Sequence, residues 1–231
     1  MIAQPSPWYT HAAQRMAATG PAGTLRAPSR MEWSTHRGLG PGAEVLGTDL
    51  RGRRVLELGC GPGHNAAHLA ERGQAVVTGI DLVGLQIRRA RGHYGHIGNA
   101  AFITGHALHY LQATSGTFDA VYSVFGAVGL VAPELLLAAV SRRLKPHAVL
   151  AFSVPHPQRA GGLASTDDRP RQDGVTMPDG TRLPVARWEF DADRWAAHLT
   201  RTGLRLTSAL DLRHPHGDHR PTTLLITARK H

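Results

Sequence analysis

From residue 53 onward, apolar runs of strand length alternate with stretches whose apolar residues recur at helical spacing. The runs at 54–58, 75–80, 101–104, 120–124 and 149–154 predict five strands, and the alternation is that of a parallel sheet with crossover helices. Between the fourth and fifth lies "PELLLAAVSRRLKP". Its proline suits a first helical turn and its arginines suit the negative end of the helix dipole, so a helix is expected there. Further on, "DADRWAAHLTRTG" predicts a capped helix ending at Gly203, and "LRLTSALDL" and "TTLLITAR" predict a terminal strand pair joined by "RHPHGDHRP".

Two stretches break this rhythm. Residues 1–52 are rich in Pro, Gly and Ala and carry Trp8, Tyr9 and the cluster "RMEWSTHRG", which suggests a partly helical, partly irregular flap. Residues 155–187 hold few large apolar side chains, and their "MPDGTRLPV" suits a tight hairpin turn at Asp179 and Gly180. A long polar insertion inside a compact domain is usually functional or mobile, so this one is expected to be a substrate lid on the domain formed by 53–231.

Composition narrows the field. At 231 residues the chain can bury a full core as one elaborated α/β domain. Its formal charge of +9 permits nucleic acid, anionic lipid or acidic small molecules as partners. Only Lys145 and Lys230 are lysines, and the arginines are scattered with no consecutive block longer than a pair, which reads as solvated surface. The lone Cys60 excludes an internal disulfide and a cysteine-based zinc cluster. No apolar run approaches the ~18 residues of a membrane helix, and "MIAQPSPWYTHAAQ" lacks a leader's apolar core. The expectation is a soluble, cytoplasmic protein.

The sharpest feature is "VLELGCGPGHNAAHLAERG", with Gly59, Gly61 and Gly63 between an apolar run and a helical segment. Such glycines let a backbone turn tightly and approach a ligand, while the next helix points amide groups at it. A dinucleotide fingerprint would place a third glycine where His64 stands, so that pattern is broken. Glu57 matters further, since a carboxylate is unfavourable beside a pyrophosphate and favourable beside an ammonium or sulfonium. Asp81 ends the second strand, where an acidic side chain can accept from both hydroxyls of a ribose.

These residues resemble the class I S-adenosylmethionine-dependent methyltransferases, particularly their small-molecule branch. "VLELGCGPG" is similar to that family's first motif, "GIDL" to its second, "FDAVYSVFG" to its fourth-strand motif and "LKPHAVLAFS" to the turn into strand five. The resemblance implies a Rossmann-like α/β fold, with a seven-stranded, mostly parallel sheet, helices on both faces and a terminal antiparallel pair. It also implies S-adenosylmethionine as cofactor and S-adenosylhomocysteine as product. Glu57, Gly59 and Gly61 would line the methionine part within a turn that includes Cys60 and Gly63. Asp81 would hold the ribose, Leu82 would pack on the adenine, and Ser123 would sit beside the sulfonium. Two positions depart from the pattern. His106 stands where the family has an aspartate that accepts from the adenine amino group, which a neutral imidazole can do in one tautomer only, leaving the Ala107 amide as the alternative contact. His147 replaces a glycine, so a left-handed turn there is expected to be strained or absent.

Other candidates carry competing readings. His156 follows the fifth strand between two prolines, where open sheets place ligands, and is either a base for the acceptor or a histidine in a stiff loop. Tyr9, Trp33 and His36, with Trp8 and Glu32, form a possible substrate lid from the amino-terminal side or else pack ordinarily. His214, His216, Asp218 and His219 are capable metal ligands, yet the prolines and Gly217 suit a turn without one, so no metal is expected. "YSVFGA" lacks the prolines used in methylating exocyclic base amines, Cys60 is committed to the glycine turn, and the segment directly after Val124 offers no acidic ligands for magnesium. A small organic acceptor, methylated on N, O or C in specialised metabolism, fits best, with no nucleic-acid or membrane partner. A non-catalytic cofactor-binding module and an RNA-directed methyltransferase remain as alternatives.

Overall fold

A computed structural model of the chain describes residues 6–20, 23–214 and 219–231. Five strands, β1 (Arg54–Leu58), β2 (Val76–Asp81), β3 (Ala100–Thr104), β4 (Phe118–Val124) and β5 (Leu144–Pro155), pair in parallel. Two more, β8 (Leu204–Arg213) and β9 (Pro221–Lys230), complete the sheet in the order β3-β2-β1-β4-β5-β9-β8, with β9 antiparallel to both neighbours. The remaining two, β6 (Arg171–Thr176) and β7 (Arg182–Arg187), form a separate antiparallel hairpin. The Rossmann-like α/β sheet expected from the sequence is therefore present.

Among the described residues six α-helices accompany the strands: α1 (Pro7–Thr19), α2 (His64–Glu71), α3 (Gly84–Tyr94), α4 (Ala107–Ala113), α5 (Pro133–Arg143) and α6 (Ala192–Arg201). Side chains alternate across β1, so Val55 packs on one side and Leu56 and Leu58 on the other. The first side carries α2 and α3, through Ala66, Leu69, Ile87 and Tyr94; the second carries α4, α5 and α6, through Leu111, Leu137 and Trp195. Residue choice sets the helix ends. Pro133 starts α5, and the Asp191 carboxylate accepts from the Arg194 amide at 2.9 Å to start α6.

Several boundaries differ from the sequence expectation. Strand β4 begins at Phe118 because the Asp119 carboxylate, which looks like a breaker in sequence, accepts from the Arg54 amide and the Lys145 ammonium and stitches three strands together. Strand β5 reaches back to Leu144 because His147 does take the left-handed turn, at φ 62°, and its carbonyl accepts from Arg229. Residues 27–50 are no flap. Met31 and Trp33 are fully buried with Leu46 and Leu50 over the α2 side of the sheet, and the Trp33 indole donates to the Gly42 carbonyl at 2.8 Å. Only α1 stands apart, laid on the start of α3 through Trp8, Ala12, Val83 and Leu85. Among the described residues no helix is long and apolar enough to cross a membrane.

Candidate active site

The carboxyl ends of β1, β2, β3 and β4 open into a cavity of about 560 Å³. Its floor is the glycine turn. Gly59 and Cys60 both donate their amides to the Ile80 carbonyl, and the chain then passes Gly61 at φ 52° into α2 through Gly63 at φ 83°. A β-carbon on Gly59 would lie 2.6 Å from Gly126 Cα, so the turn and the loop after β4 meet backbone to backbone. A β-carbon on Gly61 would meet nothing within 4 Å, because Gly61 faces the open cavity.

Asp81 closes the corner between the first two strand ends. One carboxylate oxygen accepts from the Gly61 amide and the other from the Val83 amide, both at 2.8 Å. Burial raises its pKa while these two amides pull it down. Leu82, 58 % exposed, lies beside it on the cavity wall. At the third strand end Gly105, His106 and Ala107 line the cavity, and His106 is the residue preceding α4. Its Nδ1 is buried with no hydrogen-bond partner, and burial, then His109, lowers its pKa so that the ring is neutral at pH 7.

Past β4 the wall is Val124, Phe125, Gly126 and Ala127, followed by Leu130 and Val131. Phe125 holds a φ of 48°, which is uncommon for a bulky residue, and its amide donates to the Ser153 carbonyl. The roof has two parts. Helix α1 supplies Pro7, Trp8 and His11, and strand β7 supplies Pro184, Val185 and Ala186.

The sequence-predicted residues divide accordingly. Gly59, Gly61, Asp81, Leu82, His106 and Ala107 come together on one cavity surface. Cys60 and Gly63 serve the turn from behind: the Cys60 thiol is buried in the core, with its pKa pushed well up by burial, and Gly63 packs against Phe102 and Ala90. Ser123 is also behind the wall, its hydroxyl donating to the Leu58 carbonyl at 2.7 Å and accepting from the Val128 amide.

Glu57 is 3 % exposed and does not line the cavity. Burial pushes its pKa up to about 8, against smaller opposing pulls from the Tyr122 hydroxyl and the Ala66 amide, and its Oε2 has no hydrogen-bond partner. At pH 7 this carboxyl is mostly protonated, so the charge read from the sequence is held in reserve.

The lid and base expectations are relocated. Trp33 packs edge-on against Tyr122 in the core, and burial there outweighs any lid role. Tyr9 points to the outer face of α1 beside Leu85 and Arg88, because it falls one position off the Trp8–His11 stripe. His36 packs against His214 with the rings tilted and 4.5 Å between their centres, and it does not line the cavity. His156 is 7 % exposed and off the cavity wall; its Nδ1 accepts from the Gln158 amide and its Nε2 lies 3.2 Å from Asp211 Oδ1. With both nitrogens engaged and burial lowering its pKa, this ring straps β5 to β8. His216 and Asp218 lie outside the described residues, and no metal-holding cluster occurs among the described ones.

Sequence reasoning missed His11, Gln86 and Phe125 as cavity residues. The available signal was the i, i+3 relation of Trp8 and His11, which places them on one helix face.

Comparison with known proteins agrees with this geometry. Residues 55–147 match the methyltransferase-domain family. An O-methyltransferase of Pyrenophora dematioidea is 27% identical over 173 residues, covering 70% of this chain and 58% of that protein. A ubiquinone biosynthesis O-methyltransferase of Neisseria meningitidis serogroup C is 33% identical over 108 residues, covering 46% of this chain and 45% of that protein. The chain thus aligns with roughly half the length of these curated relatives. The structure of Burkholderia thailandensis 1,6-didemethyltoxoflavin-N1-methyltransferase, with its namesake substrate and S-adenosylhomocysteine bound, superposes with a TM-score of 0.55 at 20% identity. That match covers 78% of this chain and 72% of the other and speaks for the fold. Sheet order and glycine turn are those of the solved S-adenosylmethionine-dependent methyltransferases that the chain resembles in fold, and the segment 55–147 is similar to their catalytic domain.

Proposed function

We propose that this protein transfers the methyl group of S-adenosylmethionine to a small organic acceptor. The observation that carries the reading is the convergence of Gly59 and Gly61, Asp81, and His106 with Ala107, from three successive strand ends, on one cavity surface. The residues fit the cofactor. Gly61 leaves an open cradle, Asp81 presents a carboxylate to a diol, Leu82 offers an apolar face, and the orphaned His106 Nδ1 can accept from an amino group. When bound, the cofactor supplies an activated methyl on a sulfonium.

The chain's own part is to orient the acceptor and keep water out. The roof of α1 and β7 does both, which supports the hairpin within 155–187 as an acceptor lid. The names of the curated relatives favour oxygen as the methylated atom. The scattered arginines leave the cavity wall without a cation among the described residues, which argues against an RNA acceptor. A role in specialised metabolism is part of the same proposal.

The test is incubation of the protein with isotopically labelled S-adenosylmethionine and an extract of small metabolites. Label appearing in one low-mass product supports the reading. Tight cofactor binding with no transfer to any metabolite would favour the non-catalytic module, and label in RNA would favour the nucleic-acid alternative.

A further inference from the structure

The cavity wall is nearly free of charge in a chain that is strongly basic. Of 26 Lys and Arg residues none lines it among the described residues, and its titratable side chains are His11, Asp81 and His106. Asp81 has both oxygens committed to the Gly61 and Val83 amides. His106 stands at the β3 end, where on the methyl-transfer reading it faces the adenine. A carboxylate or phosphate on the acceptor would find no counter-charge here, and the one carboxylate, Asp81, has its remaining lone pairs taken by the ribose on the methyl-transfer reading, so an ammonium on the acceptor would also go uncompensated.

The walls that remain for the acceptor are Trp8, Phe125, Leu130, Val131, Pro184 and Val185, with His11 and Gln86 as the polar side chains beside them. The His11 imidazole makes no hydrogen bond with any described residue, although it is partly buried on the cavity face of α1. On the methyl-transfer reading, we propose that the acceptor is an uncharged, mainly apolar hydroxyl compound held between α1 and β7. Its hydroxyl donates to the His11 imidazole, and His11 takes up the proton that the hydroxyl loses.

The chemistry balances without a further reagent. As the acceptor oxygen forms its bond to the methyl carbon, the sulfur–carbon bond breaks and its electron pair stays on sulfur. The proton on the acceptor oxygen passes to the imidazole and from there to water. His11 is suited to this, because burial, then Arg15 on α1 and Arg89 on α3, lower its pKa and keep the ring neutral. Arg89 is itself held by the Gln86 Oε1 at 3.1 Å, behind the cavity wall.

Binding to protein saturated with S-adenosylhomocysteine tests this without turnover. A panel of simple phenols is titrated calorimetrically, each as its methyl ester, its carboxylate and its aminomethyl form. The expected result is binding by esters, with the matched carboxylates and amines at least ~10-fold weaker. Carboxylates or amines binding as well as their esters, or no ester binding up to millimolar concentration, would overturn the proposal. His11→Phe should weaken the best phenol ~3–10-fold, the worth of one neutral hydrogen bond, and leave its methyl ether unchanged. His11→Asn, which restores an acceptor, should recover part of the loss. Equal affinity of His11→Phe and wild type for the phenol overturns the role of His11. Affinity for S-adenosylhomocysteine serves as the fold control and separates the two readings: if it binds and no ester does, this inference alone fails.

Discussion

The Gln14 amide of α1 donates to Asp179 Oδ2 in the hairpin turn at 2.7 Å, joining two segments 165 residues apart that each line the cavity. The Asp179 amide returns a longer contact to Gln14 Oε1. The two roof elements are therefore clasped to each other as well as to the domain. Both side chains reach the surface, so breaking the clasp should cost under ~1 kcal/mol of global stability. Gln14→Ala should instead speed hydrogen exchange of the 171–187 amides while leaving β1 and β2 protected. Unchanged hairpin exchange would show that β6 and β7 are held by their own ladder.

Gly59 and Gly61 differ by what surrounds them, and their alanine variants should differ in kind. Gly59→Ala combines a φ of 82° with a β-carbon 2.6 Å from Gly126 Cα, so the glycine turn must separate from the β4 loop. A loss of ~2 kcal/mol or more is expected. Gly61→Ala meets nothing and should cost only the ~1–2 kcal/mol of a left-handed alanine, while placing a methyl group in the cofactor cradle. Chemical denaturation and S-adenosylhomocysteine titration of both variants check the contrast: stability falls more in the first, and affinity per unit of stability lost falls more in the second.

The raised pKa of Glu57 gives stability a pH dependence of known sign. Its pKa is about 8 in the fold and near 4.5 when exposed, so the folded chain binds the extra proton between those values. Stability from this group is fully present below about 4.5 and is lost as pH rises through about 8. Buried histidines with lowered pKa values push the other way over part of this range, so the comparison is with Glu57→Gln. The variant should gain on wild type in denaturant midpoint as pH rises from 5, and the gain should level off above about 8. A constant difference across that range would mean that Glu57 keeps an ordinary pKa.

His156 should prove a strap. His156→Ala removes the contact with Asp211 and leaves the Gln158 amide without its acceptor in a half-buried setting, a loss of ~1–2 kcal/mol. Turnover at a temperature where the variant is folded should stay within ~3-fold of wild type, far below the ~10²-fold effect of losing a general base. A hundredfold fall in kcat with stability intact would return His156 to the reaction.

What was legible in the sequence follows from which interactions are local. The glycine turn, Asp81 and the strands up to β5 are read from short-range spacing, since apolar runs and φ-permissive residues dictate them directly. The hairpin was legible for the same reason: Asp179 accepts from the Thr181 amide and Gly180 sits at φ 87°. Contacts distant in sequence were not. Trp33 looked like an aromatic lid because nothing near it in sequence reveals that Tyr122 awaits it on the same face of the sheet. His156 looked poised for chemistry because Asp211 lies 55 positions away, and His11 passed unnoticed because its importance comes from facing β7.

The central claim is that one cavity, built from the ends of β1, β2 and β3, binds S-adenosylmethionine and its product. Thermal unfolding with S-adenosylhomocysteine at 100-fold excess over its Kd tests it most directly. The account predicts a stabilisation of ~2.7 kcal/mol, absent with NAD. No shift with S-adenosylhomocysteine at millimolar concentration, or an equal shift with NAD, would contradict it.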